Sequence, residues 1–244
     1  MKLRLAAIAA SLFLGAVSAQ AAPFTFAQFD QKNTNDTIRV TNGVGSTGTI
    51  VDRNDPLVSF SFLLPSLQAA GLGEQDAYME LSGIITQKAI VTGSGLTATI
   101  QQQVDSGTLS FTRATAAPEG TGNGTRTNLL TIGFTNAVIL GRPGNTSGSM
   151  LAATPDSVMT FTSDFLNFDE AANLDFAIAL SSITGGGLGR ANANESLRVF
   201  NADATGTFSS DPAPTYVNDV PEPATLALLG LGLVGIGLRR RRAA

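Results

Sequence analysis

Val58-Ser59-Phe60-Ser61-Phe62 alternates apolar and hydroxyl side chains with a period of two. Successive side chains of an extended chain point to opposite faces, so this stretch buries Val58, Phe60 and Phe62 and leaves Ser59 and Ser61 outside. The pattern recurs in Leu109-Ser110-Phe111-Thr112 and in Leu130-Thr131-Ile132-Gly133-Phe134. It returns between Leu174 and Leu180, where Leu174, Phe176, Ile178 and Leu180 share a face. Segments 24–29, 37–41, 79–85, 88–92, 96–102, 138–140, 158–162, 197–201 and 205–208 have the same strand character, which predicts about a dozen short strands punctuated by Gly, Asn, Asp and Pro. No sustained 3.6-residue apolar stripe supplies crossover helices. The spacing therefore predicts an all-β body, an antiparallel β-sandwich with the jelly roll as one form of it. Residues 66–77 have mild helical character, interrupted by Gly71 and Gly73, and predict a short helix or a loop. The Gly/Ser/Thr/Asn-rich segments 42–48, 118–128 and 143–149 predict surface loops.

Composition removes whole classes of chemistry. The 244 residues include no Cys, His or Trp. A Ser-His-Asp triad, a Cys-His dyad and a His-ligated zinc or copper site cannot be assembled from them. No disulfide framework exists either, so the body must rest on an ordinary core. Residues 22–220 keep nine of the 15 basic and 18 of the 19 acidic residues, a balance of −9. Without a basic patch interleaved with aromatics, nucleic acid is not an expected partner.

Both ends carry targeting chemistry. Lys2 and Arg4 precede the apolar run 5–17, and Ala19-Gln20-Ala21 supplies the small-x-small pattern of a signal-peptide cleavage site, so residues 1–21 read as a secretory signal. At the other end Pro221-Glu222-Pro223 precedes an uncharged stretch, 224–238, and then Arg239, Arg240, Arg241 and Arg242. Proline fixes its own φ and keeps the preceding residue out of the α region, so a helix can start only after Pro223. Fifteen helical residues reach about 22 Å, short of a hydrocarbon core of roughly 30 Å, and span only with bilayer thinning or snorkelling arginines. The four arginines act as a stop-transfer cluster on the cytoplasmic side and place the body outside. This predicts a single C-terminal transmembrane helix over 224–238, with 22–210 as the body and 211–220 as a semi-extended spacer.

The Pro-Glu-Pro element, the Leu/Gly helix and the arginine cluster, which together cover about residues 220–242, resemble the PEP-CTERM sorting signal of Gram-negative bacteria that build an extracellular polymeric matrix. The resemblance implies an exosortase as processing partner, alongside the secretion machinery. It makes Pro221, Glu222 and Pro223 the recognition element, 224–238 a transient membrane anchor, and 221–242 a signal removed near the motif. It implies nothing about the body.

Within the body the candidate sites are sparse. Asp52, Asn54 and Asp55 fall in one expected loop and Asp164, Asp169 and Glu170 in another, the oxygen-rich arrangement that holds Ca²⁺; neither follows an EF-hand pattern. Gly185-Gly186-Gly187-Leu188-Gly189-Arg190 lacks the Lys-Ser/Thr of a phosphate loop and reads as a hairpin loop. Gly230, Gly232 and Gly235 fit a dinucleotide fingerprint in letters only, because no strand precedes them. The resulting expectation is a non-enzymatic surface or matrix protein, structural or adhesive, exported through an inner-membrane intermediate and associated with extracellular polysaccharide. A calcium-dependent binding module is the alternative. A polysaccharide-active enzyme built on paired carboxylates is a further one.

Overall fold

The period-two segments form strands, and the strands join into one wall. The computed structural model describes residues 23–32, 35–115 and 127–217. Fourteen strands run in chain order: β1 Phe24–Gln31, β2 Ile38–Asn42, β3 Gly48–Asp52, β4 Leu57–Phe62, β5 Glu74–Ile85, β6 Ile90–Thr92, β7 Thr99–Arg113, β8 Asn128–Gly141, β9 Gly148–Ala153, β10 Met159–Thr162, β11 Leu166–Asn167, β12 Asn173–Ser181, β13 Phe200–Asp211 and β14 Thr215–Tyr216. The expected short helix is the single turn Pro65–Ala69, opened by the proline at its first position.

The two-sheet sandwich expected from the strand spacing is replaced by a single antiparallel sheet that closes on itself. β1 lies along β13, with Phe24 opposite Ser210 and Phe29 opposite Gly206, and β2 continues along the same edge with Val40 opposite Phe200. β4 and β3 likewise divide one edge of β5, while β7 takes the other. With β1/β2 and β3/β4 each counted as one interrupted strand, the order β1/β2, β3/β4, β5, β7, β8, β9, β12, β13 and back to β1/β2 is an eight-stranded up-and-down barrel. β6 pairs alongside the first residues of β7, β10 covers half an edge of β8, and β11 with β14 forms a separate small ribbon. Closure follows from length: β5 and β13, at 12 residues each, can each pair two short strands on a single edge.

Phenylalanine fills the interior. Phe29, Phe60, Phe111 and Phe208 come from β1, β4, β7 and β13 and meet with centroid separations of 5.0 to 6.2 Å. Phe carries no polar atom, so rings from facing walls can meet without a hydrogen-bond partner. Space for them comes from glycines on inward positions. A Cβ on Gly107 would lie 2.4 Å from Phe134 Cζ and 2.5 Å from the Ser82 carbonyl oxygen, and one on Gly206 would lie 2.6 Å from Phe29 Cε1. Outward positions carry hydroxyls, with Ser106, Thr108, Ser110 and Thr112 on β7 facing Thr135, Gly133, Thr131 and Asn128 on β8.

The barrel has two distinct ends. The end called the base here holds the start of β1, the ends of β4 and β13, the start of β5 and the last residues of β7. There Leu166 pairs with Tyr216, and the Val217 amide donates to the Phe165 carbonyl at 2.9 Å. The first part of the expected spacer is thus built into the body rather than lifted off it. The opposite, distal end gathers segments 42–48, 86–98, 142–147 and 182–199.

The expected anchor helix lies outside the described residues. Among the described residues no helix is long and apolar enough to cross a membrane.

Candidate functional site

Asp52, Asn54 and Asp55 sit where the barrel wall is interrupted. β1/β2 break at 32–37 and β3/β4 break beside them at 53–56, and the Arg53–Asp36 ion pair ties the two breaks together. Ladder bonding to β5 continues across the gap by substitution. The Met79 amide donates to the Pro56 carbonyl and the Leu81 amide to Asp52 Oδ1, each at 3.0 Å. Asn54 and Asp55 take left-handed φ values of 59° and 46°, the turn geometry that short polar side chains tolerate. Asp52 therefore stands in for a strand carbonyl, and its geometry is that of a wall repair.

Asp164 is engaged in a similar way. Its Oδ2 accepts the Thr127 and Asn128 amides at 2.8 and 2.9 Å, holding the start of β8. Asn167 and Asp169 bond to one another in a tight turn. Among the described residues no group of three or more His, Cys, Asp and Glu side chains is placed to hold a metal ion.

The glycine-rich loop has the polarity opposite to an anion cradle. Gly185, Gly186 and Gly187 all have positive φ, and Arg198 donates from Nε to the Gly187 carbonyl at 3.0 Å and from Nη2 to the Gly186 carbonyl at 2.6 Å. The loop presents oxygens to a guanidinium, whereas a phosphate loop presents amides. Gly187 also packs against segment 142–147, where an added Cβ would lie 2.4 Å from the Gly144 carbonyl oxygen.

Buried Gln102 joins the distal loops, a role that sequence patterning missed. Its Nε2 donates to the Gln87 and Gln103 carbonyls at 2.8 and 2.9 Å, and its Oε1 accepts the Leu197 amide at 3.1 Å. Ser196 Oγ donates to the Thr47 carbonyl and accepts from Asn42 Nδ2, both at 2.9 Å. The one signal in the sequence was an inward amide in the alternation of β7, between Ile100 and Val104.

At the base, Arg113 ends β7 on an inward position, its guanidinium carbon 5.8 Å from the centroid of the Phe165 ring. Its Nε and Nη1 are buried without a hydrogen-bond partner, and burial lowers its pKa from the usual arginine value. On the outer wall a shallow groove of about 290 Å³ crosses β9, β12, β13 and β1, with Ala177, Ala179 and Gly206 in the lining and Asp30 as its one carboxylate. Nearby, burial pushes the Asp175 carboxyl up, against a Ser209 hydrogen bond that pulls it down.

A match to the PEP-CTERM protein-sorting motif covers residues 219–242. The chain carries a PEP-CTERM sorting motif at this end, which supports an exported polypeptide sorted through an exosortase. Pro221, Glu222 and Pro223 and the arginines Arg239 to Arg242 fall within the matched span but outside the described residues; Ala19 and Ala21 of the expected signal sequence also lie outside the described residues. No curated protein and no solved structure matches the chain.

Proposed function

We propose that this protein is a structural or adhesive component of the cell surface or extracellular matrix, delivered as a folded barrel and released from, or transferred off, a transient membrane anchor. The observation that carries the reading is the sorting motif, which begins two residues beyond the last described strand-bonded residue, Val217. The body supports it: its aromatic interior is packed with rings from facing walls, so its contacts with partners fall to the outer surface. That surface is rich in Ser and Thr, suited to a hydrated polymer environment. In this reading a charged and hydroxylated exterior performs the work, rather than a catalytic centre.

Intact mass with C-terminal peptide mapping of the native protein, taken from cell-surface and medium fractions, tests this. A chain ending near Pro221 to Pro223 without the arginine-cluster peptide is the expected result. Retention of Arg239 to Arg242 in a membrane fraction would make the protein a permanently anchored surface domain and refute the release.

A further inference from the structure

The two ends of the barrel differ in charge. Segments 63–76, 163–172 and 211–217 at the base carry Glu74, Asp76, Asp164, Asp169, Glu170 and Asp211; against these six carboxylates stand the inward-facing Arg113 and Lys32, which pairs with Asp76. The distal segments 42–48, 86–98, 142–147 and 182–199 carry Lys88, Arg142, Arg190 and Arg198 against Glu195 alone, a balance of +3 on a body that is otherwise acidic. Asp105 and Asp203 are the nearest strand carboxylates, and Asp105 already accepts from Thr86 and Gln87.

The four cations lie on segments that are bonded to one another at the distal end. The Ala89 amide donates to the Glu195 carbonyl, which docks the Lys88 segment on 193–197. Arg190 bridges to Leu197, the neighbour of Arg198. Reciprocal bonds between Gly144 and Leu188, and between Leu188 and Asn145, seat the Arg142 segment against the glycine-rich loop. Among the described residues none of the four forms an ion pair. Val44 and Leu96, 95% and 88% exposed, add apolar tips to segments of this end. The chain continues toward its sorting motif from the opposite end, at Val217.

We infer that the distal end is a docking face for an anionic polysaccharide, a polyuronate in chemical class, and that the acidic base keeps the same polymer from the end where the sorting tail leaves. The inference rests on the surface-polymer reading above and adds the face and the charge of the partner. Lys88 and Arg142 are exposed and Arg190 and Arg198, which brace loop carbonyls, are half-buried; with no carboxylate paired to any of them, the interlocked loops match a chain of carboxylates. Acidic walls around them orient that chain by repulsion.

The test uses the secreted protein, alginate as the polyuronate and dextran as a neutral polymer. Lys88→Gln with Arg142→Gln removes two exposed charges that make no side-chain hydrogen bond among those found in the structure. Alginate affinity should fall about tenfold in this variant, the effect of two exposed charge contacts, and fall in the wild type with added salt. Asp169→Asn with Glu170→Gln at the base should bind alginate as well as the wild type or better. Three results overturn the inference: unchanged alginate binding by the distal variant, dextran bound as tightly as alginate, or double-stranded DNA bound more tightly than either. If the wild type binds neither polymer while remaining folded, the surface-polymer reading itself falls.

Discussion

The base and the distal end of the barrel are held together by different physics. Near the base, rings from four walls meet at centroid separations near 5 to 6 Å, and Phe62 and Phe165 extend the cluster toward the β11/β14 ribbon. At the distal end the fasteners are polar: the Gln102 amide and the Ser196 hydroxyl bond to backbone of segments remote in the chain, and the Arg198 guanidinium to the glycine-rich loop of its own segment. Apolar burial is non-directional and concentrates stability, whereas directed hydrogen bonds fix loop shape without requiring an apolar surface. The distal loops can therefore carry charge while the base carries the fold.

Substitutions should separate these two regimes. The largest loss is expected for Phe111→Ala, which removes a ring contacting Phe29, Phe60 and Phe208 and should cost about 3–5 kcal/mol in denaturant unfolding. Its effect should be global, with amide exchange accelerated throughout the barrel. Gly107→Ala drives a methyl into both the Phe134 ring and the Ser82 carbonyl, and should cost about 1–3 kcal/mol. An unaltered melting temperature would show that the wall can yield there.

Gln102→Leu leaves the Leu197 amide and the Gln87 carbonyl without this partner, for about 2 kcal/mol. Unlike the Phe111 change, it should speed exchange in 86–98 and 182–199 before the base is affected. Uniform acceleration would erase the distinction between the ends.

The smallest effect belongs to Asp175. Burial raises its folded pKa above the ordinary aspartate value of 3.8, so the native state holds this proton more readily than the unfolded chain does. The stability contributed is present below 3.8 and lost as pH rises through the folded pKa, which makes the ionised carboxylate a liability at neutral pH. Asp175→Asn should melt slightly higher than the wild type at neutral pH, with the gap closing in acid. A gap that persists in acid would assign the effect to something other than ionisation.

Particular residues explain what the sequence could and could not disclose. The alternation at 58–62 and 174–180 is realised in β4 and β12, because burial of one face is a local property. Length was misread where glycine or asparagine falls inside a strand. The expected strands 96–102 and 109–112 are one strand, β7, in which Gly107 clears the Phe134 ring. Asn136 turns left-handed at φ 57° without ending β8. Two expected strands therefore merge into β8, and β3 and β9, each opening on a glycine at the end of an expected loop, are too short in alternation to show the pattern. Closure was beyond reach, since the pairing of Phe24 with Ser210 is a register between opposite ends of the body that no local pattern specifies. The distal basic face was hidden for the same reason, its cations being spread from Lys88 to Arg198 in a body of net negative charge. The sorting motif was legible because proline, apolar length and an arginine cluster are contiguous.

Closure of the wall is the claim on which the two-ended description depends, and residue-resolved amide exchange across β13 tests it most directly. In a closed barrel the amides that face β1 and those that face β12 are both bonded, so residues 206–210 should be uniformly slow, matching β7 and β8. Alternating fast and slow amides along 206–210 would reveal a free edge and return the body to an open sheet or a sandwich.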